Sequence, residues 1–106
     1  MRYQIKILPK GESDIRGITE YLFEFSPQGA KSWLDAYREA RLRLVANPEV
    51  YPLAPESCHF QISVRQLLFK TRHGRMYRML FTIVEDEVRV LRLRGPGQAP
   101  VSPTDM

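Results

Sequence analysis

The sequence has very few residues that bind metals or form covalent cross-links. It contains one cysteine, Cys58, and two histidines, His59 and His73. A lone cysteine excludes a disulfide within the chain, which is typical of proteins from a reducing compartment. Cys58 and His59 are adjacent, and neighbouring residues rarely bind the same ion, so we predict no metal site. Glycine loops of the recognised phosphate-binding kinds are also missing, and we therefore expect no cofactor.

Long hydrophobic runs are missing as well. No stretch approaches the roughly 18 apolar residues that a membrane-spanning helix requires. Residues 1–8 alternate polar and apolar side chains, whereas a signal peptide needs a continuous apolar segment. We therefore expect a soluble protein that acts in the cytoplasm.

Acidic residues are absent between Ser57 and Val84, although this segment is rich in arginine. Residues 1–56 carry equal numbers of basic and acidic side chains, so the net charge of +4 lies in residues 57–106. A one-sided field of this kind suits an anionic partner, either nucleic acid or an acidic protein segment. The alternative is a basic surface that is merely solvated.

The N-terminal half predicts one strand followed by two helices. Residues 2–8 alternate with a period of two, which indicates a half-buried strand. Ser13 and Asp14 offer capping oxygens to a first helix, whose apolar residues recur at helical spacing up to Phe25. Ser26 is predicted to cap a second helix, which ends at Asn47 because the next residue is proline. In this second helix, we interpret Trp33 and Tyr37 as core residues, and the alternative is that they line a groove for the antitoxin.

The C-terminal half predicts three strands, at residues 64–71, 76–84 and 88–94, because these runs are rich in branched and aromatic residues. The fold class is therefore α+β, with order β-α-α-β-β-β and a helical hairpin packed on one face of a mainly antiparallel four-stranded sheet. The other face is predicted to be open to a partner. The first strand, if it lies at the sheet edge, offers backbone groups for strand addition.

The domain is expected to span residues 1–95. Residues 96–106 form a tail that is rich in proline and glycine and has no periodic pattern, so we expect it to be extended or mobile.

The ordered combination of elements and motifs resembles the RelE/ParE superfamily of toxins from bacterial toxin–antitoxin pairs. The central-strand motif is Tyr77-Arg78-x-x-Phe81-x-Ile83, and residues 88–94 form a hydrophobic run that ends in a basic residue. The segments Ala30-x-x-Trp33-Leu34 and Leu44-x-x-Asn47-Pro48 resemble the second helix of the family and its exit. The resemblance covers roughly residues 1–95.

The resemblance implies an intracellular toxin of a type II system, neutralised by an antitoxin protein whose tail masks the basic surface. ParE-like members inhibit DNA gyrase without being nucleases, and RelE-like members cut mRNA within the ribosome. An inactive, toxin-like binding module is a third hypothesis. Several RelE-like enzymes place a histidine or tyrosine just after the last strand, and residues 95–100 contain neither. This departure favours the ParE-like activity, and it leaves open whether the chain is an enzyme.

Arg78 is the candidate catalytic residue for the nuclease hypothesis. RNA cleavage without a metal needs a cation that stabilises the charged phosphorane, and the planar arginine fork donates two hydrogen bonds to phosphate oxygens. Alternate residues from Tyr77 to Ile83 form an apolar face, so Arg78, Leu80 and Thr82 are predicted to face outward onto the open surface. Arg78 also resembles the central-strand arginine of RelE-like enzymes. The alternative role is to anchor the antitoxin or a phosphate.

Further candidates for contact with RNA or another target lie in the same half of the chain: Arg65, Lys70, Arg72, His73, Arg75, Arg92 and Arg94. Arg65, Arg92 and Arg94 resemble basic positions with which nucleases of the family contact RNA. The others surround the first predicted hairpin. For each of them, the alternative is a solubilising surface charge.

Overall fold

The computed structural model describes residues 3–71, 74–96, 98 and 101. Its elements are β1 (Gln4–Ile7), α1 (Pro9–Phe25), α2 (Pro27–Ala46), β2 (Arg65–Phe69), β3 (Tyr77–Val84) and β4 (Glu87–Arg94). Two short 3-10 helices, Pro48–Val50 and Pro55–His59, lie in the connection between α2 and β2. This order confirms the predicted succession of strands and helices.

The four strands form one mixed sheet in the order β1-β4-β3-β2. β3 is antiparallel to both β2 and β4, whereas β1 pairs with β4 in parallel. β1 therefore lies at an edge of the sheet. The register between β3 and β4 shifts at Leu80 and Phe81, whose partners are Arg92 and Val90, so Leu91 is an extra residue in β4.

The main core lies between the helical hairpin and one face of the sheet. Trp33 and Tyr37 of α2 are buried and stacked, with ring centroids 5.6 Å apart. Trp33 also packs edge-on against Tyr77 of β3, at a centroid distance of 5.6 Å. The prediction that Trp33 and Tyr37 are core residues is confirmed.

The two helices begin differently. The prediction for α2 is confirmed, because the Gly29 N–H donates to Ser26 Oγ at 3.0 Å and Pro27 occupies the first turn. The prediction for α1 is wrong. Its first residue is Pro9, its N-cap position is Leu8 without a side-chain cap, and Ser13 and Asp14 lie inside the helix. Proline suits the first turn because its missing N–H has no partner there in any helix.

The second face of the sheet is covered at its centre, so the prediction of an open face is wrong there. A second buried cluster consists of Ala54, Val64, Leu80, Leu91 and Val101. Leu80 is fully buried and Thr82 is 7% exposed, although both were expected to face solvent. The physical reason is that the connection from α2 to β2 packs its own apolar residues against this face.

Val101 is a residue of the predicted tail that packs against the domain. It is buried in the second cluster, and its N–H donates to the Glu56 carboxylate at 3.2 Å. Residues 97, 99, 100 and 102–106 of the predicted tail lie outside the described residues.

Candidate functional site

Arg78, the candidate catalytic residue, lies on the second face of the sheet and forms an ion pair with Glu56. Its Nη1 donates to Glu56 Oε1 at 2.8 Å, and its Nη2 donates to Glu56 Oε2 at 2.7 Å. Nη1 also donates to Gln66 Oε1 at 3.1 Å. Because both ends of the guanidinium fork hold the same carboxylate, the positive charge of Arg78 is neutralised within the chain.

Glu56 is the acidic partner that fixes this geometry. It lies in the second 3-10 helix, its side chain is 1% exposed, and its Oε2 also accepts the Val101 N–H. The hydrogen bonds from Arg78, opposed by burial, lower the pKa of Glu56 from 4.5 to about 2. The same interaction raises the pKa of Arg78. Glu56 is therefore a carboxylate at every physiological pH.

Arg92 is held in a similar way by Asp14 of α1. Its Nε donates to Asp14 Oδ2 at 2.7 Å, and its Nη2 donates to Oδ1 at 3.0 Å. Asp14 Oδ2 also accepts the Leu93 N–H at 2.9 Å. β1 pairs with β4 only as far as Val90, so the Asp14 carboxylate satisfies a backbone group beyond the end of β1. Asp14 thus joins α1 to β4 instead of capping the helix.

The remaining sequence candidates lie in different settings. Arg65 donates to the main-chain oxygens of Glu49 and Tyr51, at 3.3 and 2.7 Å, so it ties β2 to the first 3-10 helix. Arg94 is the register partner of Arg78 on the neighbouring strand. Lys70 and Arg75 are exposed near the β2–β3 connection. Arg72 and His73 lie outside the described residues.

These placements limit the chemistry available around Arg78. RNA cleavage needs an acid and a base besides a cation. The side chains in hydrogen-bond contact with Arg78 are Glu56, which stays ionised, and Gln66, which does not titrate. Tyr77 packs against the main core on the opposite face, and burial raises the pKa of its hydroxyl. Glu56 and Gln66 thus position the Arg78 guanidinium, and Glu56 compensates its charge.

A groove of about 1030 Å³ opens at one end of the molecule. It lies between α1, the first turns of α2, the β2–β3 connection and the residues after β4. Its apolar lining includes Ile18, Leu22, Trp33, Tyr77, Leu93 and Pro96. Tyr21 lines the rim at 61% exposure, and its ring centroid is 4.9 Å from that of Phe25, which is 73% exposed.

One polar atom at this groove lacks a partner. Among the buried side-chain nitrogen and oxygen atoms that the structure describes, only Trp33 Nε1 makes no hydrogen bond. An unpaired buried N–H usually costs about 1–3 kcal/mol. The unsatisfied donor is inside the core, below the groove, whereas the exposed ring of Tyr21 at the rim is the part of this site available to another protein.

Over residues 3–71, 74–96, 98 and 101, no group of three or more His, Cys, Asp or Glu side chains could hold a metal ion. In the same residues, neither helix is long and apolar enough to span a membrane.

Glu56 and Asp14 are the site residues that the sequence did not reveal. Glu56 is the last acidic residue before the long segment without acids. It belongs to residues 1–56, whose charges sum to zero, so nothing in the charge pattern marks it as the partner of an arginine in the basic half. Asp14 looked like a helix cap because it follows Ser13 and precedes the apolar spacing. In both cases the partner arginine is remote in sequence, and no local pattern indicates such a pair.

The comparison with protein families agrees with the fold. Residues 5–100 match the model described as the ParE toxin of type II toxin-antitoxin system, parDE. No curated protein matches the chain. Since the family match spans nearly all of the sequence, the chain belongs to the ParE toxin family of type II toxin–antitoxin systems.

Proposed function

We propose that this toxin acts in the cytoplasm by binding a protein, as a ParE-like inhibitor of DNA gyrase. The observation that carries the proposal is the bidentate pair between Arg78 and buried Glu56, at 2.7–2.8 Å. A nuclease would need this cation to be available to phosphate, together with an acid and a base beside it. A pair of fixed and mutually neutralised groups fits a structural role for Arg78.

The groove supports a protein as the partner. Aromatic side chains are the residues that most often dominate the binding energy at protein–protein interfaces. Tyr21 and Phe25 offer such rings at 61% and 73% exposure, next to a concave apolar surface. Membership in the family implies an antitoxin, and we propose that an apolar or amphipathic antitoxin segment occupies this groove and competes with the target.

The direct test is a DNA supercoiling assay with purified gyrase and the free toxin. We expect inhibition at micromolar toxin, and we expect no cleavage of mRNA when the same preparation is added to translating ribosomes. The matched control is Leu42→Ser, because Leu42 is 66% exposed on α2 and lies away from the groove. Unimpeded supercoiling by gyrase at micromolar toxin would contradict the proposal.

A RelE-like, ribosome-dependent mRNA endonuclease is the second candidate. It is favoured by the position of Arg78 opposite Arg94 on neighbouring strands, which brings two cations together at one end of the sheet. Induction of the toxin alone in a bacterial host separates the two candidates. Thymidine incorporation should fall before leucine incorporation if gyrase is the target, and the reverse order would favour the nuclease.

A further inference from the structure

We propose that Glu56 is an internal anion that occupies Arg78 and thereby prevents this basic surface from binding the phosphates of single-stranded RNA. The inference rests on the proposed function, because it gives a reason why an arginine-rich toxin surface acts on a protein and leaves RNA alone. Glu56 is then a residue that determines specificity by blocking a ligand.

The geometry of the pair is the geometry of a bound phosphate. Arginine recognises carboxylate and phosphate in the same way, through two parallel hydrogen bonds from its planar fork. Arg78 makes these bonds to the two oxygens of Glu56, and Gln66 takes a further bond from Nη1. The position at which RNA would present its phosphate oxygens is therefore occupied by a side chain of the toxin.

Burial makes this occupation permanent. The Glu56 side chain is 1% exposed and also accepts the Val101 N–H, so it cannot swing away from Arg78 without loss of these bonds. The Arg78 side chain is 22% exposed, so solvent reaches it. A ligand could thus approach Arg78, but it would meet a guanidinium whose charge is already compensated.

The surroundings of Arg78 are suited to a polyanion once Glu56 is neutral. Arg94 is directly opposite on β4, and like charges on facing residues of neighbouring strands repel each other. Exposed Lys70 and Arg75 follow β2 and precede β3 at the same end of the hairpin. Neutralisation of Glu56 would therefore leave the charge of Arg78 uncompensated beside Arg94 on the neighbouring strand.

The test measures the affinity of the full chain for a short, labelled oligouridylate at low salt. We expect Glu56→Gln to bind about tenfold more tightly than the wild type, because one charged hydrogen-bonding group becomes available to phosphate. The dependence of log affinity on log salt should steepen by about 0.7, which is the value for one further phosphate contact on a single strand.

Two controls separate this effect from a general gain of charge. Glu49→Gln removes the same charge from an exposed side chain that contacts Tyr3, and it should leave the affinity within about twofold of the wild type, as expected for a charge outside the contact surface. The double variant Glu56→Gln with Arg78→Gln should return to the affinity of the wild type. An equal gain in Glu49→Gln and Glu56→Gln, or no gain in either, would overturn the inference.

The inference stays testable if Glu56→Gln does not fold. The double variant is neutral at both positions, and its folding can be checked by circular dichroism. It should bind the oligonucleotide as weakly as the wild type, because Arg78 is unavailable in both. Much weaker binding by the double variant would show that Arg78 contacts RNA while Glu56 is in place, which overturns the inference.

Failure of the proposed function gives a different result. If the wild type does not inhibit gyrase but Glu56→Gln gains affinity for RNA, the inference about Glu56 stands and the target is another molecule. If the wild type inhibits gyrase and Glu56→Gln gains nothing, the proposed function stands and the inference about Glu56 is wrong.

Discussion

At the scale of single residues, two carboxylates, one buried and one half-buried, organise the arginine-rich strands. Glu56 and Asp14 each bind one arginine through both oxygens, and each also accepts a backbone N–H. Removal of one partner from such a pair destabilises a protein more than the pair itself stabilises it, because the other charge stays desolvated. Arg78 and Arg92 therefore hold the fold together through internal ion pairs.

The lowered pKa of Glu56 predicts a specific loss of stability in acid. In the folded chain this pKa is about 2, against 4.5 for a free glutamate. The stabilisation is complete above pH 4.5 and is lost as the pH falls towards 2, because the unfolded chain then binds a proton that the folded chain does not. We expect the free energy of unfolding to fall by about 3 kcal/mol from this group alone.

Urea unfolding at a series of pH values measures this loss, with Glu56→Gln as the comparison. The variant should be less stable at neutral pH and should lack this component of the acid dependence, since its amide does not titrate. Parallel stability curves for the two proteins between pH 4.5 and 2 would show that Glu56 is not the responsible group.

At the scale of elements, the close contact between α1 and β4 depends on Gly11. A Cβ atom at this position would lie 3.3 Å from Ile7 Cγ2 and 3.3 Å from the main-chain oxygens of Val90 and Leu91. These oxygens belong to the sheet and to its bulge, so they cannot move aside freely. The helix can begin directly after β1 only because its first turn lacks a side chain there.

Gly11→Ala and Gly17→Ala form a matched pair that tests this contact. Both lie in α1, where alanine favours the helix over glycine by about 1 kcal/mol. Nothing lies within 4 Å of a Cβ at Gly17, so Gly17→Ala should stabilise the protein. Gly11→Ala should destabilise it by about 1 kcal/mol, because overpacking costs about 1–3 kcal/mol and outweighs the gain.

Thermal unfolding followed by circular dichroism distinguishes the two variants. A change of 1 kcal/mol shifts the melting temperature of a domain of this size by about 4–8 °C. The two variants should therefore move in opposite directions. A stabilised Gly11→Ala would show that α1 and β4 can separate slightly at no cost.

At the scale of the whole molecule, both sheet faces are covered, and a groove opens between α1, the first turns of α2 and the β2–β3 connection. The helical hairpin covers one face, and the connection from α2 to β2 covers the centre of the other. The exposed ring of Tyr21 lines the groove, and the exposed ring of Phe25 packs against it, 4.9 Å away between centroids.

We expect the double variant Tyr21→Ser with Phe25→Ser to lose toxicity without loss of stability. Both side chains are more than half exposed, at 61% and 73%, so their removal should change the melting temperature little. Truncation of aromatic anchors at an interface commonly costs more than about 1 kcal/mol each, which predicts at least a tenfold rise in the toxin needed to inhibit gyrase.

Growth after induction and the supercoiling assay give the two measurements for this prediction. Leu42→Ser serves as the control, since it also removes an exposed apolar side chain, but from α2 and away from the groove. Full toxicity of the double variant, or an equal loss in the control, would exclude the groove as the surface that contacts the target.

The amino-acid sequence by itself determined the local structure of this protein. Alternation from Tyr77 to Ile83 predicted which side of β3 faces the helices, and Ser26 with Pro27 predicted the start of α2. Trp33 and Tyr37 were predicted as core from their helical spacing. These features depend on neighbours within a few residues, so periodicity and capping rules report them directly.

Only the tertiary structure decided what the arginines contact. Arg78 and Glu56 are 22 residues apart, and Arg92 and Asp14 are 78 residues apart. These pairs form because the α2–β2 connection packs across the sheet and α1 begins at Pro9, immediately after β1. The sequence pattern of an outward-facing strand residue is the same whether water or a packed loop covers that residue. In this protein the loop between α2 and β2 brings Glu56 to Arg78, so the positive charge of Arg78 is compensated.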